Sequence, residues 1–220
     1  VSPSDVMAGG CEGIGLRSMT LDREEGAPGD IVAVHWVWEA VASPQRVHEA
    51  AVALVGSEGR VWETWTLTPV TDWWPTDQWI EGDRWLGQHV LRLPGSLETG
   101  TYTFAISLGG CERPLAQESL GVQAPVRRWT VPSEFVGTDV LFGDQIRLTG
   151  YRIDPPDVEV GETLDVSLAW QAVVEIETSY RVFVHLLDAE GRMIDQSDGI
   201  PDSWRRPTPG WAVDEVVVET

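Results

Sequence analysis

Val32, Val34, Trp36 and Trp38 alternate with Ile31, Ala33, His35 and Val37, a period of two that places the first four side chains on one face of a strand. Ala50, Val52 and Leu54 set up the next strand, and the turn Glu58-Gly59-Arg60 leads into another from Val61 to Leu67. The same style continues through His89 to Leu93, a Pro94-Gly95 turn, and Gly100 to Leu108. Leu120 to Val131, with Pro125 inside it, predicts a last, edge-type strand running into a linker around Pro132 to Gly137. No stretch sustains a helical period. Short strands with turns every few residues predict an all-β chain of sandwich type.

A second pattern overlies the first. The sequence matches itself at an offset of 132 positions, as Gly29 against Gly161 illustrates. Val34 falls on Val166, Trp38 on Trp170, Ala40 on Ala172, Val52 on Val184 and Leu54 on Leu186. The turn Glu58-Gly59-Arg60 repeats as Glu190-Gly191-Arg192, Pro75-Thr76 as Pro207-Thr208, and Trp79 as Trp211. Leu164, Val166, Leu168 and Trp170 therefore repeat the one-sided strand, and Val182, Val184 and Leu186 the one after it. The expected organisation is an N-terminal extension or linker over 1–13, a β-sandwich over 14–132, and a truncated repeat of it over 138–220. At this offset Thr220 corresponds to position 88, so the second copy is expected to lack the segments matching 89–93, 101–108 and 120–131. Three sources for those strands are open: a continuation of the chain beyond Thr220 with a strand like Gly100 to Leu108, strands donated by a neighbouring chain, or residues 1–12 acting as a donated strand in a filament. Val1 to Val6 resembles the linker Val131 to Val136, as though another repeat or a membrane segment preceded it.

Charge narrows the classes of partner. The chain carries 35 acidic and 15 basic residues, a formal net charge of -20, which repels both a phosphate backbone and an anionic bilayer surface. Nucleic-acid binding is not expected, and no apolar run is long enough to enter a membrane. Every basic residue is arginine, and there is neither lysine nor asparagine, so Schiff-base lysine chemistry and Asn-linked glycans are excluded. Cys11 and Cys111 are too few for a zinc site and too far apart for a redox motif. Because the first and last strands of a sandwich tend to lie near each other, a Cys11–Cys111 disulfide in an oxidising, extracytoplasmic compartment is expected; the alternative is two unpaired thiols.

The second copy also carries a family resemblance. Phe142-Gly143-Asp144, Leu148-Thr149-Gly150-Tyr151, Val160-Gly161-Glu162, Leu168-Ala169-Trp170-Gln171-Ala172, Tyr180 to Asp188, Gln196-Ser197-Asp198 and Pro207-Thr208-Pro209-Gly210-Trp211 resemble an immunoglobulin-like β-sandwich module of bacterial cell-envelope proteins. That module is found at the C-terminal end of membrane glycosyltransferase-like proteins of Chloroflexi type. The resemblance implies an accessory, extracytoplasmic sandwich with no catalytic residue. In the first copy, Leu97 to Tyr102 is similar to the tyrosine corner of immunoglobulin-like folds.

Candidate chemistry is sparse. His35, His48, His89 and His185 lie in separate strands without metal-ligand spacing, and no nucleophile elbow, phosphate loop or zinc-protease motif is present, so neither an enzyme nor a cofactor is expected. Asp195, Asp198 and Asp202 are candidate calcium ligands, as are Asp72, Asp77, Glu81 and Asp83 in the first copy, against the plainer reading of solvated loop carboxylates. Of the 12 tryptophans, Trp38, Trp170, Trp79 and Trp211 recur in both copies and are assigned to the core, with Trp36 beside them. Trp62, Trp65, Trp73, Trp74, Trp85, Trp129 and Trp204 have no counterpart; aromatic rings flanked by carboxylates suit a sugar face, for which Trp62, Trp73, Trp74 and Trp85 are the candidates, against the plainer reading that these rings cover the domain's own loop or the junction between domains. The expected function is a non-catalytic cell-surface spacer, scaffold or contact to other protein chains or further domains. The alternatives are a carbohydrate-binding module and an accessory domain of a membrane glycosyltransferase-like protein.

Overall fold

The computed structural model describes residues 9–111, 113–159 and 161–220. The linker-like stretch Val1 to Val6, and Val160, lie outside them. In chain order the strands are β1 (Gly9–Cys11), β2 (Ile14–Leu21), β3 (Glu25–Gly26), β4 (Ile31–Ala40), β5 (Ala50–Gly56), β6 (Val61–Leu67), β7 (Arg84–Arg92), β8 (Gly100–Leu108) and β9 (Ala116–Val122). They continue with β10 (Val136–Phe142), β11 (Ile146–Asp154), β12 (Asp165–Ala172), β13 (Val182–Leu187), β14 (Met193–Gly199) and β15 (Val216–Glu219). Short 3-10 turns at Thr76–Gln78 and Thr208–Gly210 are the helical elements among the described residues.

The chain divides into two compact units, Val1–Leu93 with Glu98–Ala124, and Pro94–Leu97 with Pro125–Thr220. The division falls ahead of the expected boundary near 132, because the last strand stops at Val122 instead of reaching Val131. Pro125 has no N–H to offer a ladder, and the residues after it bond within the second unit: the Arg128 carbonyl accepts the Val216 N–H at 2.8 Å.

In the first unit a four-stranded sheet, β1-β2-β4-β7, and a five-stranded sheet, β3-β9-β8-β5-β6, form a sandwich. The alternation of β4 becomes its burial pattern, with Val32, Val34, Trp36, Trp38 and Ala40 buried. The other sheet contributes Ala50, Val52 and Leu54 from β5 and Tyr102, Phe104, Ile106 and Leu108 from β8. Tyr102 closes the expected corner: its hydroxyl donates to the Glu98 carbonyl at 3.0 Å and accepts the Glu98 N–H at 3.1 Å. Residues 9–11 are neither linker nor a strand for another chain. They pair antiparallel with β2 through a tight turn at Glu12 and Gly13, both at positive φ. Cys11 is disulfide-bonded to Cys111, with a Cα–Cα separation of 6.1 Å.

The second unit repeats this plan up to a point. Displaced by 132 positions, β2 corresponds to β11, β4 to β12, β5 to β13, β6 to β14, and each 3-10 turn to the other. β15 corresponds to the first residues of β7, which starts at Arg84, earlier than the expected His89; the second copy therefore keeps the opening of that strand, paired with β12. No strand among the described residues corresponds to β8 or β9. The unit consists of a four-stranded sheet, β10-β11-β12-β15, and a hairpin, β13-β14, standing as a sheet of its own. Its core gathers Ile146, Trp170, Ala172, Ile176, Trp211 and Val217, with Leu148, Leu168 and Val182 packed against them.

One exchange explains how a single plan tolerates two cores. Trp36 pairs with Gly87, whose missing side chain leaves room for the indole; a Cβ there would collide with Trp36 and the Pro69 carbonyl. At the equivalent pair Leu168 faces Glu219, a smaller residue opposite a larger one. Volume is kept across the pair, which is what a close-packed interior requires.

Candidate functional site

The repeated Pro-Thr-x-x-Trp element is a structural clasp. In the first unit the Thr76 hydroxyl donates to the Arg46 carbonyl at 3.2 Å and accepts the His48 N–H at 2.8 Å, while Trp79 Nε1–H donates to the Trp74 carbonyl at 3.3 Å. In the second, Thr208 donates to the Thr178 carbonyl at 2.6 Å and accepts the Tyr180 N–H at 3.0 Å, and Trp211 Nε1–H donates to the Arg206 carbonyl at 3.0 Å. Each Trp is buried against its own core. Trp38 and Trp36 likewise spend their indole N–H groups internally, both on the Pro69 carbonyl. Trp38, Trp79, Trp170 and Trp211 are thus packed residues.

The four tryptophans expected to make a sugar face do not form one surface. Trp73 is 90% exposed and Trp74 40% exposed. Trp74 lies 5.7 Å from Trp85, which lies 6.3 Å from buried Trp79, so Trp85 supports the loop from beneath. Trp62 sits on β6 near the far end of β5, edge-on to Tyr102 at 6.0 Å and capped by the Arg60 guanidinium at 3.9 Å. The loop tryptophans are tied through Thr76 to His48, before the start of β5, whereas Trp62 lies beside Gly56 at its end. About seven residues of strand, roughly 20 Å, separate the two groups. The candidate sugar face is reduced to Trp73 and Trp74.

The candidate calcium ligands are not brought together either. Among the described residues no three His, Cys, Asp or Glu side chains are placed to hold a metal ion. Asp195 and Asp198 are three apart on β14 and so point to opposite faces, while Asp202 is ion-paired with Arg205 at 3.0 Å. In the first copy Asp83 accepts the Ile80 N–H within its own turn.

The titratable groups that depart from ordinary behaviour do so for local reasons. Burial beside Trp36, at 5.0 Å, pushes the His89 imidazole down, opposed by the Thr68 carbonyl and the Asp72 charge. The Arg17 guanidinium on Glu39 holds that carboxyl low. The Arg192 backbone N–H does the same for Asp188 in the β13–β14 turn. Burial raises Glu219, and the Asp202 charge adds to the effect. A further carboxylate, Glu215, was not singled out by its sequence surroundings. It is fully buried, bound by Arg127 and Arg206, and accepts the Ala212 N–H at 2.9 Å. Asp83 makes the corresponding turn bond in the first unit, so the only foresight available was that the repeat places an acid at both positions.

The most distinctive surface is on the hairpin. β13 reads Val182-Phe183-Val184-His185-Leu186-Leu187, largely apolar on both faces, a composition typical of a strand whose two faces are both covered. Among the described residues it pairs only with β14. Phe183, Leu186, Leu187, Met193 and Ile194 are all exposed, as are Val140, Leu141 and Phe142 on β10.

These features define an all-β protein whose first unit is a two-sheet sandwich. No family model matches the sequence, and no curated protein matches it. Solved structures with some likeness include Pseudomonas fluorescens alkylpurine DNA glycosylase AlkC bound to DNA containing an abasic site analog, at 10% identity and a TM-score of 0.36, covering 51% of this chain and 31% of that one. The C-terminal domain of wzt aligns at 12% identity and a TM-score of 0.40, covering 55% of this chain and 80% of that one. Both scores are too low to bear on function. No helix among the described residues is long and apolar enough to cross a membrane.

Proposed function

We propose that the chain is a non-catalytic module of the cell exterior whose second unit makes contact with other polypeptide. The observation that carries this reading is the apolar character of the β13–β14 hairpin, on whose faces Phe183, Leu186, Leu187, Met193 and Ile194 are each exposed. Exposed apolar patches on soluble domains mark interaction sites. The Cys11–Cys111 disulfide supports an oxidising compartment. The resemblance of the second copy to envelope modules supports the cell surface, as an immunoglobulin-like spacer or as an accessory to a membrane glycosyltransferase-like protein. A hydrophobic dye tests the reading. The chain is expected to enhance the emission of anilinonaphthalene sulfonate, and the double variant Phe183→Ser/Leu187→Ser to lose most of that enhancement. A chain that leaves the dye dark has no such surface in solution, and the reading is then abandoned.

A second reading rests on Trp73, whose 90% exposure beside Trp74 suits stacking on a sugar ring. Under it, Trp73→Ala/Trp74→Ala folds normally and loses retention of a polysaccharide found on a glycan array. A wild-type chain that binds no bacterial or plant glycan leaves the two rings without this role.

A further inference from the structure

The two copies keep one loop and fill it differently. Displaced by 132 positions, Asp72-Trp73-Trp74-Pro75-Thr76 of the first unit falls on Trp204-Arg205-Arg206-Pro207-Thr208 of the second. The clasp needs only backbone from the residue before the proline: the carbonyls of Trp74 and Arg206 accept the indole N–H groups of Trp79 and Trp211. In the second unit the two arginines are engaged internally, Arg205 with Asp202 and Arg206 with Glu215. In the first unit the same positions hold indoles, of which Trp73 is 90% exposed and Trp74 40%. The clasp therefore does not account for the Trp73 side chain.

The charge around those rings is one-sided. From Val61 to Asp83 the chain has no basic residue and five acids, Glu63, Asp72, Asp77, Glu81 and Asp83. Asp72, Asp77 and Glu81 are exposed and make no ion pair among the described residues. The guanidiniums that flank the loop are engaged elsewhere. Arg60 caps Trp62 at 3.9 Å, Arg84 pairs with Glu39 at 3.6 Å, and Arg46, whose carbonyl the Thr76 hydroxyl meets, pairs with Glu12 at 3.1 Å. The His89 imidazole, which feels the Asp72 charge, is pushed down by burial and is neutral at neutral pH. Among aromatic side chains indole attracts a cation best, and Asp72, next to Trp73 in the chain, lies inside a Debye length of about 8 Å.

We propose that the loop Asp72-Trp73-Trp74 binds a glycan bearing protonated amines, an amino-sugar polymer that is not N-acetylated. A pyranose ring stacks on Trp73, and its ammonium group sits in the field of Asp72, Asp77 and Glu81. Uronate and phosphate polymers are repelled by the same carboxylates. A neutral sugar uses the rings and leaves the carboxylates without a partner. A basic peptide carries the charge, but peptide anchors fill pockets, whereas Trp73 at 90% exposure offers a flat face standing clear of its surroundings. This inference rests on the sugar-binding reading of Trp73 and narrows its ligand.

The test titrates the intact chain with glucosamine oligomers and with N-acetylglucosamine oligomers of equal length, following tryptophan fluorescence and heat. Saturable binding of the glucosamine oligomer is expected, about tenfold tighter than that of its acetylated twin. Raised salt, or a pH at which the sugar amines lose their protons, should remove that preference. Trp73→Ala should weaken binding about tenfold without moving the first unit's Tm, because the ring is exposed. Asp72→Asn/Asp77→Asn/Glu81→Gln should weaken the glucosamine oligomer alone. The control Glu24→Gln/Glu58→Gln/Glu134→Gln, which makes the same change in net charge at exposed sites away from the loop, should bind as wild type does. Equal weakening by that control, or no effect of Trp73→Ala, overturns the inference, since the attraction is then of a polycation to an acidic chain. A lysine oligomer that binds as tightly through the loop also overturns it, because the partner is then a basic peptide. Equal or tighter binding of the acetylated oligomer removes the amino-sugar inference and keeps the sugar reading; a chain that binds neither oligomer and no glycan on the array loses both.

Discussion

Trp38→Ala unfolds the first unit at moderate temperature while the second continues to melt as before. Trp38 is fully buried towards the end of β4, packs edge-on to Trp36 with ring centroids 6.1 Å apart, and donates its indole N–H to the Pro69 carbonyl at 3.1 Å. Truncating a buried tryptophan costs about 3–5 kcal/mol through lost transfer energy and the cavity left behind. Domains of this size hold about 5–15 kcal/mol in all, so the variant spends a large share of the margin. Differential scanning calorimetry, resolving the two units, checks the result, and Trp38→Phe should fall between wild type and alanine because the hole is smaller. The equivalent Trp170→Ala should act on the second unit and cost less, since Trp170 retains some solvent contact at 8% exposure. Wild-type-like melting of Trp38→Ala would mean that β4 presents its other face to the core.

Removing the disulfide is expected to have a comparable or larger effect. Cys11 and Cys111 are separated by 100 residues, and closing a loop of that length lowers the entropy of the unfolded chain by about 4–5 kcal/mol in the chain-entropy account. Cys11→Ser/Cys111→Ser, or the wild-type chain under reductant, should therefore lower the Tm of the first unit by on the order of 15 °C and leave the second unit unchanged. β1, only three residues long, should fray first, because the cross-link supplements its short pairing with β2. If Tm moves by only a degree or two, residual structure in the reduced, unfolded chain has absorbed the entropy difference.

Much of the architecture was legible because it is written twice. The alternation Val32, Val34, Trp36, Trp38 passes directly into burial, since a strand with one core face has few other ways to arrange those side chains. The offset of 132 found the clasp residues Thr76 and Thr208 without indicating their work, which depends on carbonyls some thirty residues earlier in the chain. The strand over Leu120 to Val131 was drawn too long: apolar residues beyond Pro125 belong to the second unit, and the linear pattern carries no mark of that change of allegiance. The tryptophan surface was overdrawn for a related reason. Trp62 and Trp73 are close in sequence yet sit near opposite ends of β5, a distance that only strand pairing reveals. The open margin of β13 was half visible, in that the repeat lacked β8 and β9, but the exposure of Leu186 against the burial of Leu54 needed coordinates.

The position of the cross-link also determines how the first unit bears load. Tension entering at Cys11 and leaving beyond Cys111 passes through the sulfur bridge, bypassing the 100-residue separation between them. That loop would otherwise release roughly 340 Å of chain on extension. Only the segment beyond the bridge can be drawn out, chiefly β9, which must be stripped from β8 and from its parallel contact with β3. In its oxidised form the unit can therefore lengthen under load only outside the bridged segment, whereas the reduced unit, once load has unfolded its sheets, can extend over the whole separation.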